Sequence, residues 1–289
     1  EYVVSDSPRE VVRYIRAARS ITGISRTDNV VTVSFADNSA TVNSFESGQP
    51  VVIQGVAITD HTLGASFNGV FVVTSATATQ LQFQCAGPNV ASFTPAAAIA
   101  GGHYATLSAW EADFGGTSGD LVNENIRMTA MLYDDWATGL DDSVVIKGWN
   151  TDDEHYVTVT VAPGERHNGT AGTGFYLDPS SSFSYYAGVV EVRARYTVIE
   201  YLEIQNWGNG GNAVRVAGPW GNNSTVRNCL IHNNDQGGAG ILVGGSGGSP
   251  NTVDWISIYN NIVYDVDRGI GVAGYTYGSR PCSVFNNTV

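Results

Sequence analysis

The clearest pattern in the chain is a spacing of apolar positions that repeats after residue 196. Ile199-Glu200-Tyr201-Leu202-Glu203-Ile204-Gln205-Asn206 lines up with Val226-Arg227-Asn228-Cys229-Leu230-Ile231-His232-Asn233. A third copy is Ile258-Tyr259-Asn260-Asn261-Ile262-Val263-Tyr264-Asp265, and a fourth is Val284-Phe285-Asn286-Asn287-Thr288-Val289. The offsets are 27, 32 and 26 residues, the length of one solenoid coil. A second apolar strand keeps step: Ala213-Val214-Arg215-Val216, Gly240-Ile241-Leu242-Val243 and Gly269-Ile270-Gly271-Val272. A single coil is too thin to bury its own apolar side chains. Coils must therefore stack about 4.8 Å apart, aligning Ile199, Val226, Ile258 and Val284 in one internal row. Ile204, Ile231, Val263 and Val289 form a second row. Asn228, Asn260 and Asn286 share one position, where amides are expected to hydrogen-bond along the column. The pattern predicts a right-handed parallel β-helix from about Tyr196. No capping sequence closes the last coil, so the coils are expected to continue beyond Val289, and fragments of this length to associate end to end.

Earlier in the chain the pattern changes twice. Ser7-Pro8-Arg9-Glu10 reads as a capping box, with Val11, Val12, Ile15 and Ala18 on one face and arginines on the other. An amphipathic helix is expected over residues 7–19. Residues 21–102 then alternate as short strands at Val30–Val33, Pro50–Ile53, Gly69–Val73 and Gln80–Phe83, with turn residues between them. Ala96–Gly102 reads as a linker of small residues. From residue 103 a short helix is expected at Leu107–Ala112, then strands at Ser143–Ile146 and Tyr156–Val161. The organisation read from the sequence is an N-terminal helix (1–20), a small all-β domain (21–102), and a β-helix with an N-terminal cap (103–289).

Three stretches carry resemblances. Val51-Val52-Ile53-Gln54-Gly55-Val56 with Phe67-Asn68-Gly69-Val70-Phe71-Val72-Val73-Thr74 resembles a small β-sandwich repeat of tailed-phage virion proteins, over about 80 residues. His103–Glu111, Val145–Trp149 and Pro163–Gly169 resemble the start of β-helix proteins common in phage and environmental sequences. Residues 144–289 resemble the pectate-lyase-like β-helix superfamily, which includes polysaccharide lyases, glycoside hydrolases, phage tailspikes and adhesins. The resemblance implies the fold and does not choose among those activities.

Charge narrows the classes. Charged residues make up only 14% of the chain and the net charge is −13, so the surface must be covered largely by neutral polar groups. Nucleic acid is excluded as a partner, because phosphate binding needs a basic stripe. The one basic cluster, Arg9, Arg13, Arg16 and Arg19, is a candidate assembly element on an otherwise acidic chain. Cys85, Cys229 and Cys282 are too few and too widely spaced for a disulfide framework or zinc site, and read as small apolar side chains. No apolar run reaches the length of a membrane span.

Candidate chemistry is sparse. Asp235 and Asp267 lie two residues past the aligned positions Asn233 and Asp265, so counting forward stacks them on successive coils. Counting back from the next strand does not, because the first loop is three residues longer. His232 and Arg268 are near them in sequence and complete a candidate catalytic group for glycoside hydrolysis or elimination. The alternative is that both aspartates cap turns. Trp207, Trp220, Tyr275 and Tyr277 fall in loops between coil strands and are candidate sugar-stacking residues. No cofactor is implied; calcium is the ion that the acidic turns Asp141-Asp142 and Asp152-Asp153-Glu154 would suit. The expected function is an extracellular or virion structural and adhesive protein of the phage fibre, spike or decoration type, or a surface filament subunit. Its partners would be copies of itself or other virion or surface subunits, with polysaccharide as ligand. The alternative is a polysaccharide-degrading enzyme with its site on the β-helix face.

Overall fold

A computed structural model describes residues 7–37, 43, 45–57, 67–114, 119–184, 187–208, 210–244, 254–273 and 281–289, without the side chains of Asp235 and Gln236. The chain divides into two compact units. One comprises residues 1–13, 106–133 and 139–289, the other residues 14–105 and 134–138.

The first unit is a parallel β-helix with three sheets. Sheet I runs in the order Arg9–Ile15, Ile126–Leu132, Val157–Val161, Thr197–Glu200, Thr225–Arg227, Ser257–Tyr259, Ser283–Phe285. Sheet II contains Tyr176–Leu177, Glu203–Gln205, Leu230–His232 and Ile262–Val263. Sheet III contains Val144–Lys147, Gly188–Arg193, Asn212–Val216, Asn234–Gly244 and Val266–Ala273. Each coil visits the three sheets in turn, and the register is the one the apolar repeat demands. Ile199 pairs with Val226, Val226 with Ile258, and Ile258 with Val284. Ile204 pairs with Ile231 and Ile231 with Val263, while Val214, Ile241 and Ile270 align in sheet III. Ile199, Val226, Ile258, Ile204, Ile231 and Ile241 are almost fully buried. At roughly 1.5–3 kcal/mol for each such side chain, the internal rows are the main source of stability.

The corners between sheets are set by residues with positive φ. Tyr201, Asn228, Asn260 and Asn286 (φ 54 to 61°) turn the chain from sheet I to sheet II. Asn206, Asn233 and Asp265 (φ 50 to 58°) end the sheet II strands, and Tyr196, Asn223 and Trp255 (φ 51 to 62°) precede those of sheet I. Asn and Asp tolerate this left-handed region better than other residues with a Cβ. The recurrent Asn228, Asn260 and Asn286 are therefore corner residues, which corrects the expected amide column. The hydrogen-bonded amides lie one residue later. Asn261 Oδ1 accepts the Cys229 N–H (3.0 Å), and its Nδ2 donates to Val226 O (3.1 Å) and Asn287 Oδ1 (2.9 Å). Asn287 repeats the pattern on Asn261 N and Ile258 O.

Two short elements precede the regular coils. The helix Leu107–Phe114 forms where a helix is expected. Its Trp110 ring stacks on Trp149 at 5.4 Å. Its Glu111 carboxylate accepts Lys147 N–H (2.8 Å) and Trp149 Nε1–H (2.9 Å). The amphipathic helix expected over residues 7–19 does not form: Arg9–Ile15 is a strand, and another begins at Arg19. Val11, Val12, Tyr14 and Ile15 favour extended backbone, and a helix this short gains little on its own. The Arg9 N–H instead donates to Asn125 O (2.9 Å).

The second unit is antiparallel. Arg19–Thr27 pairs with Val30–Phe35, and the order continues through Gln80–Gln84, Gly69–Ala76, Pro50–Gln54 and Ile99–Gly101 back to Arg19–Thr27. Val90–Phe93 adds to Arg19–Thr27. The ring of pairings makes a small barrel, not the two-layer sandwich the resemblance implies. The expected linker contains the closing strand Ile99–Gly101, because Ala98 and Ala100 are small enough to sit in the core beside Phe67 and Phe83.

Candidate functional site

Sheets II and III meet along the corner column Asn206–Asn233–Asp265, and an open groove of about 700 Å³ lies there. Its walls are Asn206, Asn233, Asn234, Asp265, Val266 and Asp267. Ile231 faces inward, and the left-handed conformation at Asn206, Asn233 and Asp265 breaks the strand alternation, leaving these amides and the carboxylate exposed coil after coil. Asn234 is the exception. It is buried, and its Nδ2 donates to Gly237 O (3.0 Å), fastening the loop that follows. Asn206 donates to Asp178 Oδ2 (3.2 Å), which also accepts from Gln205 (2.8 Å). Asp265 and Asp267 are exposed.

The backbone explains why counting from either strand gave a different partner for Asp235. Asn234 pairs with Val266 and Ala239 with Arg268, so the additional residues form a bulge between them. Gly238 takes φ +96° within it and passes so close to Gly211 O that a Cβ has no room. The forward count thus holds up to Asn234 opposite Val266. The Asp235 side chain lies outside the described residues.

The other predicted residues scatter. Asp267 lines the groove, and Arg268 Nε lies 3.6 Å from its Oδ2, both half-exposed. His232 is buried on the outer face of sheet II and takes no part in the groove. Its Nε2–H donates to Glu203 Oε1 (2.9 Å) and its ring stacks on Tyr264 at 5.1 Å. Glu203 is fully buried and accepts the Gly172 N–H from the loop after the turn Pro163–Glu165. Trp207 is also buried, with Nε1–H donating to Gly211 O (3.0 Å), so it braces a loop and is not available to stack on a sugar. Trp220 is 54% exposed. Tyr275 and Tyr277 lie outside the described residues. Arg9 is exposed and Arg13 half-buried over the Phe114 ring. Arg16 and Arg19 are buried and bonded within the barrel unit. The four arginines therefore do not make one exposed basic face.

The acidic turns hold backbone. Asp141 accepts Ser180 N–H and Oγ–H, Asp142 accepts Ser108 N–H, and Asp152 accepts the N–H groups of Glu154 and His155. These bonds hold Asp141 below the usual carboxylate range. Among the described residues no group of three His, Cys, Asp or Glu side chains is placed to hold a metal ion. None of Cys85, Cys229 and Cys282 is in a disulfide; burial pushes the Cys229 thiol up to about 12. No described helix is long and apolar enough to cross a membrane.

No protein-family model matches the chain, and no curated protein matches it in sequence. Among solved structures, the tailspike protein gp49 from Pseudomonas phage LKA1 is similar, at 13% identity and a TM-score of 0.28. The match covers 97% of this chain and 40% of the tailspike chain, so this chain spans less than half of that protein's length. The fold stands on the strand register described above.

Proposed function

We propose that the chain is a structural and adhesive protein of a virion or cell exterior, and that its β-helix displays a glycan-binding surface. The observation that supports this reading is the corner groove: exposed Asn206, Asn233, Asp265 and Asp267 offer amides and carboxylates on consecutive coils, open to solvent. Such groups give and take the paired hydrogen bonds that vicinal sugar hydroxyls offer. A chain with 14% charged residues and a net charge of −13 suits a neutral ligand better than a polyanion. The partners in this reading are further copies of the chain or other virion or surface subunits. Binding of the purified chain to a polysaccharide and oligosaccharide panel tests it. The expected result is retention of one or more neutral glycans, weakened about tenfold by Asn233→Ala and by Asp267→Asn, with no product released. Release of reducing sugar or unsaturated uronate would favour a polysaccharide-degrading enzyme, and absence of binding across the panel would remove the adhesive reading.

A further inference from the structure

The outward face of sheet I carries a second, separate cleft. It has a volume of about 480 Å³, and Glu10, Tyr156, Tyr196, Glu200, Asn223 and Arg227 surround it. Its floor is the outward row Thr129–Thr158–Val198–Thr225, paired strand to strand in register and partly open to solvent beyond Thr129. One wall lies two residues before the floor row in the same register, placing Tyr156, Tyr196 and Asn223 on successive coils, with Trp255, 51% exposed, next in the row. The opposite wall is an ordered polar chain. Thr160 Oγ1–H donates to Glu200 Oε1 (2.9 Å), Arg227 Nε–H donates to Glu200 Oε2 (2.7 Å), and Arg227 Nη1–H donates to Tyr259 Oη (2.9 Å). Glu10 closes one end, accepting the Thr129 hydroxyl.

We infer that this trough binds an extended neutral polysaccharide laid along the axis of the coils. Three observations point to that ligand. The walls and floor repeat at the coil spacing of about 4.8 Å, close to the rise of one sugar unit in an extended chain, so one row meets successive units in the same way. The half-exposed rings of Tyr156 and Tyr196 offer flat apolar surface beside hydroxyls, amides and carboxylates, the mixture that a sugar with one apolar face and a hydroxyl rim requires. The charge is wrong for polyanions: the carboxylates of Glu10, Asp153 and Glu200 outnumber two guanidiniums, Arg227, already committed to Glu200 and Tyr259, and Arg127, which lies over the Tyr156 ring and donates to Glu154 O. Uronate chains, phosphate polymers and nucleic acid are repelled. Glu200 and Arg227 are held by partners in the free protein, so little side-chain freedom is lost on binding.

The inference shares its ligand class with the proposed function but rests on different residues, which lets the two be tested apart. The probes are β-linked glucose, galactose and mannose oligomers of two to eight units, titrated against the full chain by calorimetry, with far-UV circular dichroism and thermal unfolding as folding controls. Affinity should rise with length over the first four or so units, as one unit is added per coil, and then level off. Tyr156→Ala should weaken binding at least fivefold. Thr158→Trp, an outward strand position that accepts an aromatic residue, should fill the trough and abolish binding. Val72→Ser, at an exposed strand position of the barrel unit, should leave this binding unchanged. Binding lost in Asp267→Asn but kept in both trough variants would move the ligand to the corner groove and overturn this inference alone. Absence of binding by every oligomer, preference for acidic oligomers, or sedimentation showing that a second copy of the chain covers the trough would each overturn it as well.

Discussion

At the scale of single residues, neighbouring asparagines in one coil do different work. Asn260 has φ +58° and turns the corner, while Asn261 faces inward and is almost fully buried. Replacing Asn261 with Ala leaves the Cys229 N–H and Val226 O without their partner in a dry interior, and should cost about 2–4 kcal/mol. Asn260→Gly should change stability by less than about 0.5 kcal/mol, since Gly enters the left-handed region freely. Asn260→Ala should cost about 1 kcal/mol, because its Cβ resists that backbone. Urea unfolding of the three variants checks the assignment; equal losses in Asn260→Ala and Asn261→Ala would sink it. The sequence shows the Asn228–Asn260–Asn286 recurrence plainly. Its physical role was displaced by one position because composition cannot tell a corner from an inward amide. The internal column passes through Leu202, Cys229, Asn261 and Asn287, two of which carry no amide.

At the scale of elements, strands whose apolar rows repeat were legible, and those deciding between local and distant partners were not. The segment 7–19 carries a sound helix-start signal, yet pairing Val11 to Ile15 into a sheet buries more than a solitary helix turn can. The helix Leu107–Phe114 has no repeat partner and is held by its own packing, Trp110 on Trp149 and Glu111 under both. Burial raises the Glu111 carboxyl from its ordinary 4.5 to about 7, against the opposing pull of its two N–H donors. An acid raised in the folded state keeps its proton there after the unfolded chain has lost it. Stability from this group is therefore highest below about pH 4.5 and falls as pH rises to about 7, by roughly 3 kcal/mol. Glu111→Gln cannot ionise. It loses one acceptor at every pH, but its stability gap to the parent should narrow by roughly that amount between pH 4.5 and 7.5. Parallel stability–pH curves for parent and variant, from chemical unfolding at stepped pH, would show that Glu111 is not the titrating group.

At the scale of the whole molecule, periodicity reveals what repeats, but a short element that joins a unit through a few scattered bonds leaves no periodic trace. The barrel unit takes residues 14–105 and, from much later in the sequence, residues 134–138. Asp135 ties the two segments together. Its carboxylate accepts Arg16 Nε–H (2.8 Å), Arg16 Nη2–H (2.6 Å) and the Ala17 N–H (3.1 Å), all buried. The same guanidinium donates to Pro50 O and Gln49 Oε1 and lies over the Phe45 ring. Desolvating this pair costs nearly as much as its attraction returns, but removing one partner strands a buried charge. Asp135→Ala should therefore destabilise the barrel by about 3–5 kcal/mol. Hydrogen exchange should report it as lost protection in Val30–Phe35 and Gln80–Gln84. The double variant Arg16→Met with Asp135→Leu removes both charges, retains most of the volume, and should recover the greater part of the loss. Barrel amides that stay protected in Asp135→Ala would mean that Arg16 is satisfied by Pro50, Gln49 and Phe45 alone. A double variant no more stable than Asp135→Ala would mean that the bond between the segments, and not the unpaired charge, carries the stability.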